Sequence, residues 1–191
     1  MGLRSKLVVF VTVLVSIAGG QQTAARFTEL EHLDSDAVKL SKTGETVTFL
    51  ATWIAPELKR MQRVASLNGA YIRTDDGQVI TKYPEKMVLR ISVGQRTKVA
   101  GTTPIDFETQ YGADELAKNL HFRLRVYKGL DYRVVEPASS KMIGVPAELP
   151  YDERIYLVEF PLKDVTIEER LMIEALDPQD TRVTRFTIAM L

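Results

Sequence analysis

Apolar and polar positions alternate with period two along most of this chain. In the segment 46–54, Val47, Phe49, Ala51 and Trp53 fall on one side and Thr46, Thr48 and Thr52 on the other. This is the pattern of a strand with one buried face. Met87, Leu89, Ile91 and Val93 repeat it around Arg90 and Ser92, and Phe122, Leu124 and Val126 repeat it between His121, Arg123, Arg125 and Tyr127. Further strands are expected over 154–160, 171–176 and 183–190. Trp53, Phe49, Phe122, Phe160 and Phe186 all take inward positions on this reading.

Turn chemistry separates the runs. Segments 42–45 (Lys-Thr-Gly-Glu), 74–77 (Thr-Asp-Asp-Gly), 128–131 (Lys-Gly-Leu-Asp) and 177–180 (Asp-Pro-Gln-Asp) place glycine, proline or aspartate where the chain must reverse. The second predicts a hairpin between 71–73 and 79–81, and the third joins 122–127 to 132–135. Helical signals are few. Thr28 to Glu31 has the form of a capping box, and Leu30, Leu33, Ala37 and Leu40 fall near helical spacing until Asp34-Ser35-Asp36 interrupts them. Segment 56–65 puts Leu58, Met61 and Ala65 on one stripe, and 112–120 is long enough for two turns. None is long enough for the crossovers that parallel sheets require, so antiparallel pairing is expected.

About eight or nine short strands around one core predict an all-β fold, an antiparallel β-sandwich with short helical insertions. The run from Ala37 through Lys42-Thr-Gly-Glu45 to Trp53 resembles the first hairpin of immunoglobulin-like modules of exported proteins. The resemblance covers only this hairpin and implies a fold, with no activity attached. Region 56–86 is then an insertion or an added hairpin. An outer-membrane barrel also alternates, but its strands need about 9 to 11 residues with an unbroken apolar face, and most runs here are shorter.

The first residues change the setting. Arg4 and Lys6 precede twelve uncharged residues, 7–18, followed by Gly19 and Gly20. A basic start, a short apolar run and small residues behind it make a secretory signal peptide over 1–20, with cleavage after Ala18 or Gly20. A lead-in segment, 21–36, and the single sandwich domain, 37–191, follow. Localisation is therefore expected to be periplasmic or extracellular, with no membrane span once the signal is removed.

Composition adds limits. The 191 residues are 45% hydrophobic and 26% charged, the make-up of an ordinary folded protein and not of a disordered one. Basic and acidic residues balance at 25 each, so no global field draws the chain to nucleic acid. Removing the signal takes away Arg4 and Lys6 and no acid, leaving 23 basic against 25 acidic residues, a net of −2. There are no cysteines, which excludes disulfides, thiolate metal sites and cysteine nucleophiles. For an exported protein this points toward a bacterial envelope or exterior.

Candidate chemistry is sparse. The two histidines, His32 and His121, lack the spacing of a metal pair; His121 beside Arg123 and Arg125 is the better candidate for a base, with Asp106 or Asp152 as its carboxylate. No Gly-x-Ser-x-Gly is present, and Ser139-Ser140-Lys141 is the one place where hydroxyls and an amine crowd together, in an expected loop. Asp34/Asp36 and Asp177/Asp180 are partial calcium-loop matches that also read as ordinary turn residues. Tyr127, Tyr132, Tyr151 and Tyr156 are candidates for a carbohydrate platform or for packing. The one local charge asymmetry is Arg123 and Arg125, which share a strand face, with Lys128 nearby and Arg133 on the partner strand. These cations either grip an acidic partner or meet cross-strand acids such as Glu159 or Glu174.

The expectation is a non-catalytic exported module that binds another envelope macromolecule, with Arg123, Arg125, Arg133, Tyr127 and Tyr132 as binding candidates. No cofactor and no metal is expected, and the partner is expected to be a protein. The alternatives are a carbohydrate- or calcium-binding module, and a hydrolase using His121.

Overall fold

The alternating segments pair because each strand buries one face and satisfies its backbone only beside a neighbour. A computed structural model of the chain describes residues 25–26, 32–54, 61–66, 69–74, 76–95, 103–143 and 153–188. Its strands are β1 (Ala25–Arg26), β2 (His32–Leu40), β3 (Thr46–Trp53), β4 (Met61–Ser66), β5 (Gly69–Thr74), β6 (Val79–Ile80), β7 (Lys86–Gly94) and β8 (Ile105–Phe107). After the helix α1 (Ala113–Lys118) come β9 (His121–Lys128), β10 (Asp131–Val135), β11 (Ser139–Ile143), β12 (Glu153–Pro161), β13 (Arg170–Leu176) and β14 (Arg182–Ile188). The expected signal peptide over 1–20 and the capping box at 28–31 lie outside the described residues. No described helix is long and apolar enough to cross a membrane.

The protein is all-β, and its described strands form three open sheets. The largest has the order β11-β12-β7-β3-β2-β8, a second has β10-β9-β13-β14, and the third has β1-β4-β5-β6. Every strand pair is antiparallel except one: β8 runs parallel to β2, with Val38 opposite Ile105 and Leu40 opposite Phe107. The antiparallel expectation missed this pair.

The expected turns are present. Between β2 and β3 the Gly44 amide donates to the Leu40 carbonyl at 2.8 Å, and φ of 71° at Gly44 explains the glycine. The β9–β10 hairpin closes through two residues, Gly129 and Leu130, with Lys128 opposite Asp131. Gly129 has φ of 65° at the first central position, the signature of a type II′ turn. The 74–77 turn joins β5 to β6, with Ile72 opposite Ile80. At 177–180 the Asp177 Oδ1 accepts hydrogen bonds from the amides of Gln179 (2.8 Å) and Thr181 (2.9 Å).

Two helical readings were wrong. Residues 32–40 form strand β2, because hairpin pairing with β3 satisfies their backbone and the stripe of Val38 and Leu40 is buried in the sheet. Residues 61–66 form β4 against β5; the residues before Met61 are outside the described set. Tertiary pairing overrides weak local propensity in both places. The helix expected within 112–120 is present as α1. Its buried Leu116 and Ala117 face the core, and the Tyr156 hydroxyl donates to the Ala117 carbonyl at 2.8 Å, tying it to β12.

Inward residues of the six-stranded and the β10-β9-β13-β14 sheets belong to one hydrophobic cluster. Phe49 of β3 meets Phe186 of β14 with ring centroids 6.3 Å apart, and Phe122 of β9 meets Tyr156 of β12 at 5.1 Å. All five aromatic residues expected inward are buried. On the β2 side the two sheets are joined by a hydrogen bond from the Thr184 hydroxyl of β14 to Asp36 of β2. On the other side the chain passes from β10 to β11 through residues 136–138.

Candidate binding surface

The candidate residues converge on the outer face of the sheet centred on β9 and β13. Register decides which side chains meet there. Arg123 lies opposite Glu174, Arg125 opposite Met172, and Tyr127 opposite Arg170. On the far side of β13, Glu174 lies opposite Arg185. On the far side of β9, Tyr127 lies opposite Tyr132 and Arg125 opposite Val134. The same alternation that buries Phe122, Leu124 and Val126 in the core therefore gathers arginine and tyrosine on the other side.

Glu174 organises this face. Its Oε2 accepts from Arg123 Nε at 2.6 Å and from Arg125 Nε at 2.9 Å, and an Arg182 terminal nitrogen stands 3.7 Å from Oε1. The Glu174 side chain is fully buried, although it points away from the core, because the arginine stems lie over it. Burial by itself pushes the Glu174 carboxyl up; the hydrogen bonds and charges of Arg123 and Arg125 outweigh it and hold the group below the usual glutamate range. A carboxyl lowered on folding stabilises the protein fully above its ordinary value and loses that contribution as pH falls through its folded value. The difference in melting temperature between wild type and Glu174→Gln should therefore be constant above about pH 5 and shrink below it. A pH-independent difference measured between pH 7 and pH 3 would contradict this account.

The rings are held by the same cations. The Arg125 guanidinium lies over the Tyr132 ring at 4.5 Å and that of Arg170 over Tyr127 at 4.7 Å, and the two rings are 5.3 Å apart. Such stacking fixes planar groups in place, worth about 0.5–1 kcal/mol each at exposed sites.

Four of the five binding candidates, Arg123, Arg125, Tyr127 and Tyr132, come together. Arg133 is on the partner strand as expected, but opposite Val126 and hence on the other face of the sheet. The two-residue turn fixes that parity. Glu174 is the cross-strand acid for Arg123 and Arg125; Glu159 is engaged elsewhere, 2.9 Å from Lys86. Arg170, Arg182 and Arg185 also belong to this region and were missed. Period two through Arg170, Met172 and Glu174 was visible, but which residues of β9 they face was not.

The other candidates are dispersed. His121 is exposed at the start of β9 and its side chain has no described hydrogen bond, and Asp106 is on β8 in the other sheet. Asp152 and Tyr151 lie outside the described residues. Ser139, Ser140 and Lys141 form part of strand β11 and not a loop, because they pair with Glu159, Val158 and Leu157 of β12. Tyr156 is buried and committed to Ala117, which removes it from a surface platform. Asp36 and Asp177 spend their carboxylates on Thr184 and on turn amides. Among the described residues no cluster of three or more acidic or histidine side chains is placed to hold a metal. A cleft of about 270 Å³ between β14 and β2/β8 is lined by Asp36, Asp106, Arg182 and Arg185 among others, below the usual size of a small-molecule site.

No family model, curated protein or solved structure matches this chain.

Proposed function

We propose that this chain is an exported β-sandwich module of immunoglobulin-like type that binds or scaffolds another macromolecule of the cell envelope or exterior. The signal-like residues 1–20 carry the export part of this reading. Support for the sandwich comes from the shared core of the two larger sheets and the Phe49–Phe186 contact across it. The β2–β3 hairpin accords with the immunoglobulin-like resemblance.

The single observation that carries the binding reading is the arginine–tyrosine face on β9, β10 and β13, held in shape from beneath by buried Glu174. Arginine and tyrosine are enriched at protein interfaces, where a guanidinium fork or an amphipathic ring binds with little loss of freedom. Three arginines, at 123, 125 and 182, stand around the Glu174 carboxylate, and Arg170 and Arg185 lie on the same strands nearby, so the partner carries acidic groups. Both tyrosine rings already carry a guanidinium, which favours a protein over a sugar stacked on those rings.

The test is capture of an envelope partner by the immobilised chain. Tyr132→Ser combined with Arg170→Ser should reduce capture at least tenfold, with stability shifted by no more than about 1–2 kcal/mol. An identical set of captured proteins from wild type and variant would refute this surface as the site.

A further inference from the structure

Among the described residues the sheet ends at β10, and the geometry of its hairpin shows which backbone groups are left open. The pair that closes a two-residue turn exchanges hydrogen bonds, so Lys128/Asp131, Val126/Arg133 and Leu124/Val135 are the bonded pairs. The N–H and C=O groups of Tyr132 and Val134 therefore point away from β9, toward the open edge. Tyr132 is 51% exposed and Val134 46%, and Leu130 in the turn is 98% exposed. Apolar side chains on an unpaired edge are what natural sheets normally avoid.

Among the described residues the neighbouring edge is open in the same sense. β11 ends the six-stranded sheet, and three residues, 136–138, connect it to β10. A link of this length spans at most about 14 Å. Met142 of β11 lies opposite inward-facing Tyr156, yet is 49% exposed. Arg133 of β10 lies opposite inward-facing Val126, is also exposed, and has no acidic partner among the described residues. Two inward positions on adjacent edge strands are thus uncovered, whereas the opposite side is closed by β14 and β2 through Thr184 and Asp36.

We propose that β10 receives an added strand from the partner, an extended segment in which acidic residues alternate with apolar ones. Its backbone bonds to Tyr132 and Val134. Its apolar residues pair with those two side chains, and its acids meet Arg133 on the opposite side of the sheet. This rests on the binding reading above and names the kind of segment that binds.

The probes are two blocked eight-residue peptides, one alternating valine with glutamate and one alternating valine with lysine, added to the full chain. The readout is amide hydrogen exchange by NMR. The glutamate peptide should slow exchange at Tyr132 and Val134 at least tenfold, and the lysine peptide should not. Val134→Pro removes only an outward-facing donor, so it should keep the melting temperature and abolish protection at Tyr132. Arg133→Glu should reverse the preference between the peptides. Absence of protection, equal protection by both peptides, or protection that rises with protein concentration alone would each overturn the proposal, the last by showing that a second copy fills the edge. Undiminished envelope capture by Val134→Pro would overturn the edge assignment while leaving the module reading in place.

Discussion

Replacing Arg123 and Arg125 together by serine should destabilise the protein by about 3–5 kcal/mol, because it leaves a buried carboxylate without its partners. Arg182, 3.7 Å from the other carboxylate oxygen, is half exposed and has room to move in, which places the result toward the lower end. For a chain of this size that corresponds to a fall of about 10 °C in melting temperature. Adding Glu174→Leu removes the stranded charge, so the triple variant should recover most of the loss. If the two arginine replacements cost less than about 1 kcal/mol, the pair is an ordinary surface contact and Glu174 does not organise the face.

Phe186→Ala carries the second large effect. The ring is fully buried on β14, the last described strand, and contacts Phe49 of the six-stranded sheet. Truncating a buried phenylalanine loses its transfer free energy and leaves a cavity, together about 3–5 kcal/mol. Denaturant unfolding should show a lower midpoint with an unchanged slope, since the unfolded state exposes nearly the same surface. A loss below about 1 kcal/mol would mean that the contact between the sheets contributes little to the fold.

Much of the fold was legible because it is local. Val47, Phe49, Ala51 and Trp53 announce β3 by alternation, and Gly129 announces the β9–β10 hairpin by the positive φ that its turn requires. The second half of β2 was legible as one arm of the hairpin from Ala37 to Trp53, but its first half was not: Asp34-Ser35-Asp36 breaks the apolar pattern, and a register shift between His32 and Asp34 disturbs the alternation further. The parallel β2–β8 pair was hidden for a different reason, since β8 contributes only three residues and its partner is more than sixty positions earlier in the chain. The binding face shows the same limit. Arg123 and Arg125 were visible as a stripe, but their meeting with Glu174 depends on a register between strands about fifty residues apart. A bulge where Val183 is the extra residue, between Ala175–Thr184 and Leu176–Arg182, also resets the β13–β14 register. Arg170, Arg182 and Arg185 remained unnoticed for that reason.

The chemistry follows from this placement. His121, Asp106 and Ser139 belong to three different strands, β9, β8 and β11, and are not brought together, whereas arginine and tyrosine side chains from three adjacent strands are. The face is basic although the chain as a whole is neutral, because the acids are distributed over the turns and the other sheet.

The most direct measurement is an NMR titration of the isotope-labelled chain with polyglutamate at low salt. Saturable backbone shifts are expected at Arg125, Tyr127, Tyr132 and Arg170, and they should vanish near 1 M salt, where the screening length falls to about 3 Å. Shifts confined to the outer face of the six-stranded sheet, or no saturable shift at all, would contradict the assignment of this surface.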